Sequence, residues 1–313
     1  MSVVFDEKYF EGENRCGFYV EPVMKHAWAA QLILLDEIRG VLDGHGIKWF
    51  AAWGTLLGAV RHGGFIPWDD DLDIMMLRED YNRFLNIAQD EWPDGLIVLN
   101  ERNNPGFEEM LSRVVNTMYV SWAPDFLDRY KGCPFQVGID VFPLDYIPRE
   151  PSERELMNAL IEMISHTASM YREGMAGVNV EEREAVTAQV EALVGMNFDR
   201  DGDMSHQLLV LLDSVCAMYG PYDADEVGFA VHTGNTLHEP AEYYRSTVEI
   251  PFENTTIPVP VGYGKILRNR YGEYFRFDKR HPHDYPFYAK QQDMLRKYTD
   301  KDPTLAKKLE LYI

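Results

Sequence analysis

The chain has 313 residues, 46% of them hydrophobic, and carries a formal net charge of −21 from 51 acidic against 30 basic residues. That length and apolar content suffice for a substantial core, as one large domain or as one domain with an appendage. A surface this acidic repels nucleic acid and anionic membranes at long range, which disfavours polymerase and RNA-modifying roles and means that a phosphate-rich substrate needs a local basic patch.

The N-terminus, Met1 to Lys8, has no basic region followed by an apolar signal core. The longest early apolar run, 27–35, is far shorter than the roughly 20 residues of a membrane span. Cys16, Cys133 and Cys216 are odd in number and widely spaced, which fits neither a disulfide framework nor a zinc pattern and suits a reducing compartment. The expectation is a soluble, cytoplasmic protein with no transmembrane segment.

Val23, Ala27, Ala30, Leu34, Ile38 and Val41 recur at helical spacing and predict an amphipathic helix over 22–43, with Pro22 at its first position and Gly44 and Gly46 ending it. Ile47–Trp53 reads as the first strand, Gly54-Thr55 as a turn and Leu56–Val60 as a short helix. A Gly-rich link then leads through Phe65-Ile-Pro-Trp68 to an acidic run whose part Leu72–Met76 predicts a strand beside the first. A helix follows over 79–89, then short strands at 96–99, 111–115 and 118–122, and a strand at 137–142 that carries Asp140.

Composition shifts at Pro148–Pro151, after which Ser152-Glu-Arg-Glu155 reads as a capping box opening a long helix. Helices are expected over 181–194 and 204–219, and extended pieces at 227–231, 248–252 and 256–259. The helix 263–271 precedes a tail with His281, His283, Tyr285, Phe287 and Tyr288. No internal repeat is visible.

The chemistry concentrates in Trp53 to Met76. Residues two apart on a strand point the same way, so Asp71 and Asp73 share a face. Two carboxylates that close resist joint ionisation unless a cation lies between them, and hard oxygen ligands suit Mg²⁺ or Mn²⁺. A strand, a Gly-Thr turn and a helix aim backbone N–H groups at an anion. Together these features suggest metal-assisted phosphoryl chemistry.

An EF-hand loop is dismissed, because its sixth and twelfth positions are Ile74 and Asp80 rather than Gly and Glu. A glycosyltransferase D-x-D site is disfavoured by the short stretch before residue 69. Asp140 between Ile139 and Val141 is unusual in a strand core unless paired or metal-bound, and Arg113 is a candidate partner. No H-E-x-x-H pair or G-x-S-x-G elbow is present. Lys265, Arg268, Arg270, Arg276, Lys279 and Arg280 form the one basic cluster, within which Lys265 and Arg268 are favoured for phosphate binding.

The stretch Gly54-Thr-Leu-Leu-Gly-Ala-Val-Arg-His-Gly-Gly-Phe-Ile-Pro-Trp-Asp-Asp-Asp-Leu-Asp-Ile74 resembles the signature of the LicD family, which includes bacterial phosphocholine transferases and is related to the fukutin-related proteins. Val137–Pro148 and Ile257–Tyr274 resemble further segments of it, so the likeness runs from roughly residue 28 to 285. The resemblance implies an α+β fold of the nucleotidyltransferase type, a mixed sheet flanked by helices with an inserted or appended helical region. It divides the chain into a catalytic core at 1–148, a helical region at 149–222 and a C-terminal part at 223–313 that completes the core and substrate site.

It further implies that Asp71, Asp73 and Asp140 hold one or two Mg²⁺ or Mn²⁺ ions. Gly54, Thr55, Arg61, His62, Lys265 and Arg268 would bind donor phosphates, and Asp140 would take the acceptor proton. His283 would act near the leaving group, and Asp69 and Asp70 rank below the ligand pair. The implied reaction moves a phospho-alcohol, phosphocholine first, from a CDP-linked donor to a hydroxyl of a cell-surface glycan such as lipopolysaccharide or teichoic acid. Two rivals remain: a nucleotidyltransferase that leaves NMP on a small acceptor, and a non-catalytic nucleotide-binding member of the fold.

Overall fold

The computed structural model describes residues 3–172, 179–232, 238–277 and 286–299. In chain order the elements are β1 (Glu13–Arg15), β2 (Phe18–Val20), α1 (Pro22–Gly44), β3 (Phe50–Ala51), α2 (Trp53–His62), β4 (Leu72–Leu77), α3 (Arg78–Leu85), β5 (Ile97–Leu99), β6 (Ser112–Val115) and α4 (Pro124–Arg129). There follow β7 (Gly138–Ile147), α5 (Pro151–Ser169), α6 (Val180–Val194), α7 (Met204–Cys216), β8 (Glu226–Gly228), β9 (Glu239–Pro240), β10 (Thr247–Phe252), β11 (Thr255–Pro260), α8 (Tyr263–Tyr271) and α9 (Ala289–Thr299). The main sheet runs β3-β4-β7-β6-β5, with β8 joined to β7 and β9 to β8. The mixed α/β architecture expected from the sequence is present.

The chain forms two compact units, 1–98 with 113–141 and 245–313, and 99–112 with 142–244. The division differs from boundaries at 148 and 222 because β7 is longer than the expected strand. Its first half, with Asp140, belongs to the first unit, while its second half pairs antiparallel with β8 in the other, Asp145 opposite Gly228.

In the first unit, α1 buries Val23, Ala27, Ala30, Leu34 and Ile38 of the predicted stripe, together with Trp28, and buries Leu42 where Val41 was expected. Trp28 stacks flat on Phe65, centroids 4.6 Å apart, so α1 fixes the chain just before the acidic run. Strand β3 is only two residues long, paired antiparallel to β4 as Phe50↔Met75 and Ala51↔Ile74. The chain enters α2 at Trp53, so Gly54 and Thr55 lie inside the first helical turn rather than in a turn before it. Strand β4 buries Leu72, Ile74, Met75 and Met76, as a strand flanked by neighbours on both sides must.

The second unit packs α5 against α7, burying Met157, Ile161 and Ile164 with Leu208, Leu209 and Leu212, while α6 adds Val190. The long helix α5 is present but begins with Pro151 at its first position and Glu150 as cap, with no side-chain capping bond, so the Ser152–Glu155 box does not form. Proline already supplies a residue that needs no N–H partner there. Residues 118–122 form no strand, and Tyr119 is exposed; α4 and α9 were not expected. No helix of the described residues is long and apolar enough to cross a membrane.

Candidate active site

The site lies wholly in the first unit, where β3, α2, β4 and the first half of β7 meet. Asp69, Asp70 and Asp71 each offer a carboxylate oxygen within 4.8 Å of the others. Asp70, ranked below the ligand pair from the sequence, has its carboxylate beside those of Asp69 and Asp71. The run precedes β4, so strand alternation does not govern it. Asp70 is buried, its Oδ2 accepts from the Phe287 N–H at 2.5 Å, and its carbonyl accepts from Gln31 Nε2 at 2.7 Å.

Asp69 is brought in just as closely. Its carbonyl accepts from Trp28 Nε1 at 3.3 Å, and a Cβ on Gly54 would come 2.5 Å from its Oδ2. Glycine at position 54 therefore makes room for a carboxylate as well as opening the helix. Burial, then the charges of Asp71 and Asp70, push the Asp69 carboxyl up to about 8. Burial also raises Asp73 well above the carboxylate range; Asp71, Asp140 and Asp69 add to the rise, and Arg113 opposes it. Thr55 is buried, and its Oγ1 accepts from the Asp73 N–H at 2.8 Å, tying the helix start to the ligand strand.

Asp140 is held bidentately by Arg113, with Nε at 2.5 Å from Oδ1 and Nη2 at 2.8 Å from Oδ2. The partner foreseen for it is therefore real, and Asp140 still contributes negative charge at Asp73. An all-oxygen cluster in which carboxyls are forced to keep protons fits a hard divalent cation, whose charge would replace those protons. Asp69, Asp71, Asp73 and Asp140 are the residues that would hold it.

Arg61 stands near the end of α2 and feels the charge of Asp69. Its Nη1 donates to the Tyr274 carbonyl at 3.0 Å and its Nε to His62 Nε2 at 2.8 Å. Burial, then Arg61 and Arg15, depress His62 to about 4, so its ring is neutral near pH 7. His62 stacks on Phe277 at 5.4 Å, and its Nδ1 lies 3.8 Å from Cys16 Sγ. The histidine thus orients Arg61 and offers a phosphate no cationic ring.

Lys265 and Arg268 of α8 are exposed. The residues of that helix at the site are Arg270, whose guanidinium lies 4.3 Å over the Trp53 ring, and Tyr271, whose hydroxyl feels Asp73 and Asp69. Trp53 itself adopts φ +37, a strained conformation for a non-glycine residue, at the first position of α2. The packing of α8 on α2 brings Arg270 to Trp53 at the start of α2, while the expected phosphate ligands Lys265 and Arg268 lie on the exposed side of the helix. Lys279, Arg280, His281, His283 and Tyr285 lie outside the described residues.

A short helix directly after β3, an acidic run entering the paired strand β4 and a further carboxylate on β7 make up the site. Residues 46–130 match the family model described as LicD/FKTN/FKRP, nucleotidyltransferase domain. The matched stretch includes Gly54, Thr55, Arg61, His62, the acidic run and Arg113, and ends before Asp140. The lipopolysaccharide cholinephosphotransferase LicD of Haemophilus influenzae is 25% identical over 253 residues, 78% of this chain and 88% of that protein. Ribitol 5-phosphate transferase FKRP of human is 49% identical over 43 residues, 14% of this chain and 9% of its own length. An uncharacterized protein of Rickettsia prowazekii is 37% identical over 89 residues, 22% of this chain and 34% of that protein.

Proposed function

We propose that this protein is a divalent-metal-dependent transferase that moves a phospho-alcohol, phosphocholine first, from a CDP-linked donor to a hydroxyl of a cell-surface glycan or its precursor, acting in the cytoplasm. The observation that carries the reading is the crowded carboxylate run Asp69–Asp71, with Asp73 and Asp140 adding to its charge and Arg61 near Asp69, in a chain similar to two phospho-alcohol transferases. Bound Mg²⁺ or Mn²⁺ would neutralise the donor diphosphate and stabilise the attacking and leaving oxygens of an in-line displacement.

Each residue has a task in this scheme. Asp69 and Asp73, whose carboxyls burial and crowding push up, would together with Asp71 and Asp140 hold the cation. The first turn of α2, at Gly54 and Thr55, supplies N–H groups for donor phosphate. Arg61, oriented by His62, neutralises charge developing on the departing nucleotide. Asp140, held in place by its bidentate contact with Arg113, would take the acceptor proton.

A second reading, with a polyol such as ribitol in place of choline at the donor's alcohol end, is supported by cations lying over aromatic rings near the site. A quaternary ammonium is bound on open aromatic faces. Here Arg270 lies over Trp53, and Arg61 lies 5.3 Å from the Phe277 ring and 5.9 Å from that of Trp68. Calorimetry with CDP-choline, CDP-ribitol, CDP-glycerol and CTP, each with Mg²⁺ and with chelator, separates the readings. Metal-dependent binding of one CDP-alcohol over CTP supports the transferase and names its donor. An acceptor that gains the mass of NMP, or full activity in Asp71→Ala and Asp140→Ala, sinks it.

A further inference from the structure

Glu253 occupies the first position of the two-residue turn between β10 and β11, where Phe252 pairs with Thr255. Its φ is +47, a conformation that such turns normally assign to Gly, Asn or Asp. The carboxylate is not released to solvent in exchange, since the side chain is only 4% exposed. Strain kept at a buried charged residue calls for a compensating set of contacts, and here they come from Arg15 and from the loop 63–65.

The Glu253 N–H donates to the Gly63 carbonyl at 2.7 Å, and Oε1 accepts from the Phe65 N–H at 3.2 Å. Arg15 clamps the same carboxylate with Nη1 at 2.5 Å and Nη2 at 3.0 Å. A Cβ on Gly64 would lie 2.1 Å from Oε1, so the carboxylate fills the place of a side chain there. On its other side the loop rests on α2, where a Cβ on Gly58 would come 2.5 Å from the Gly64 carbonyl. Glycine at position 64 is thus explained by a residue some 190 positions away in sequence, while Gly63 serves as the left-handed cap of α2.

This loop joins Arg61 and His62 to the Asp69–Asp73 run. Phe65, held by Glu253, stacks on Trp28, whose Nε1 donates to the Asp69 carbonyl. We propose that Glu253, clamped by Arg15, is a positioning residue that sets the register between Arg61 and the metal-binding carboxylates. The inference rests on the transferase reading for its kinetic consequence and on the loop geometry alone for its structural one.

The test compares Glu253→Ala, Glu253→Gly and Glu253→Gln. In metal-free protein, amide exchange over residues 66–73 should quicken about tenfold in the Ala and Gly variants and change little in Gln, which keeps an acceptor for Phe65. Glycine relieves the turn, so Glu253→Gly should melt above Glu253→Ala, yet its kcat should stay about tenfold below wild type with donor KM nearly unchanged. Unaltered exchange over 66–73, or wild-type kcat in a folded Glu253→Gly protein, overturns the proposal. Should Glu253→Ala not fold, Arg15→Met probes the same clamp, and unchanged exchange there counts equally against it. Wild-type protein that transfers no phospho-alcohol defeats the transferase reading, while quickened exchange in the variants still supports Glu253 as the anchor of the loop.

Discussion

Replacing Asp69 by Asn tests the electrostatic core of the site. The Asp69 carboxyl titrates at about 8 in the folded chain, because it is buried beside the charges of Asp71 and Asp70. In the unfolded chain an aspartate titrates at about 4. The folded state therefore holds a proton that the unfolded state releases. The associated stability is complete below the lower value and is lost as pH rises through about 8. At 1.36 kcal/mol per pH unit the whole effect is about 5 kcal/mol, of which roughly 4 kcal/mol falls between about pH 5 and about pH 9.

Asparagine keeps the shape and removes the titration, so its stability should not share that slope. Urea unfolding in chelator at about pH 5, 7 and 9 should show wild type losing ground to Asp69→Asn by roughly 4 kcal/mol across the range, with m unchanged. Adding Mg²⁺ should reverse the order at high pH, since the ionised carboxylate then gains a cation that asparagine binds poorly. Parallel pH profiles for the two proteins would refute the argument, because they would mean that Asp69 ionises freely in the folded chain.

Other substitutions divide the site further. Removing Arg113 with methionine strips Asp140 of a bidentate partner, and urea unfolding should record a loss of about 1–3 kcal/mol. Arg270→Ala should lower kcat/KM for the donor by about 10- to 100-fold while Arg268→Ala stays within about twofold, and steady-state kinetics that reverse this order would return phosphate binding to the exposed turn of α8. His62 is neutral above about 4. Its replacement by Gln, which keeps an acceptor for Arg61, should therefore leave the pH–rate profile between about 5 and 8 unchanged, whereas Phe should cut kcat about tenfold.

The legible parts of this chain were those set by local chemistry. Helix α1 follows from its apolar spacing and Pro22, and β4 from its buried run, because periodicity reports a face buried by any partner. The three acids Asp71, Asp73 and Asp140 were visible because carboxylates among apolar strand residues demand an explanation. Less legible was Asp69, which ranked low because it lies before β4, although its carboxylate lies against Gly54. The capping box of α5 was read from a motif that Pro151 displaced by one residue.

Sequence alone thus determined the make-up of the segment: a helix start holding Gly54 and Thr55 and an acidic run entering a strand. Tertiary structure decided which charges meet. It selected Arg270 over Arg268, paired Arg113 with Asp140, turned His62 into a neutral acceptor for Arg61, and brought Glu253 to Gly64. Those outcomes depend on distances between segments far apart in the chain. Coulomb energies and hydration respond to such distances, while neither composition nor spacing encodes them.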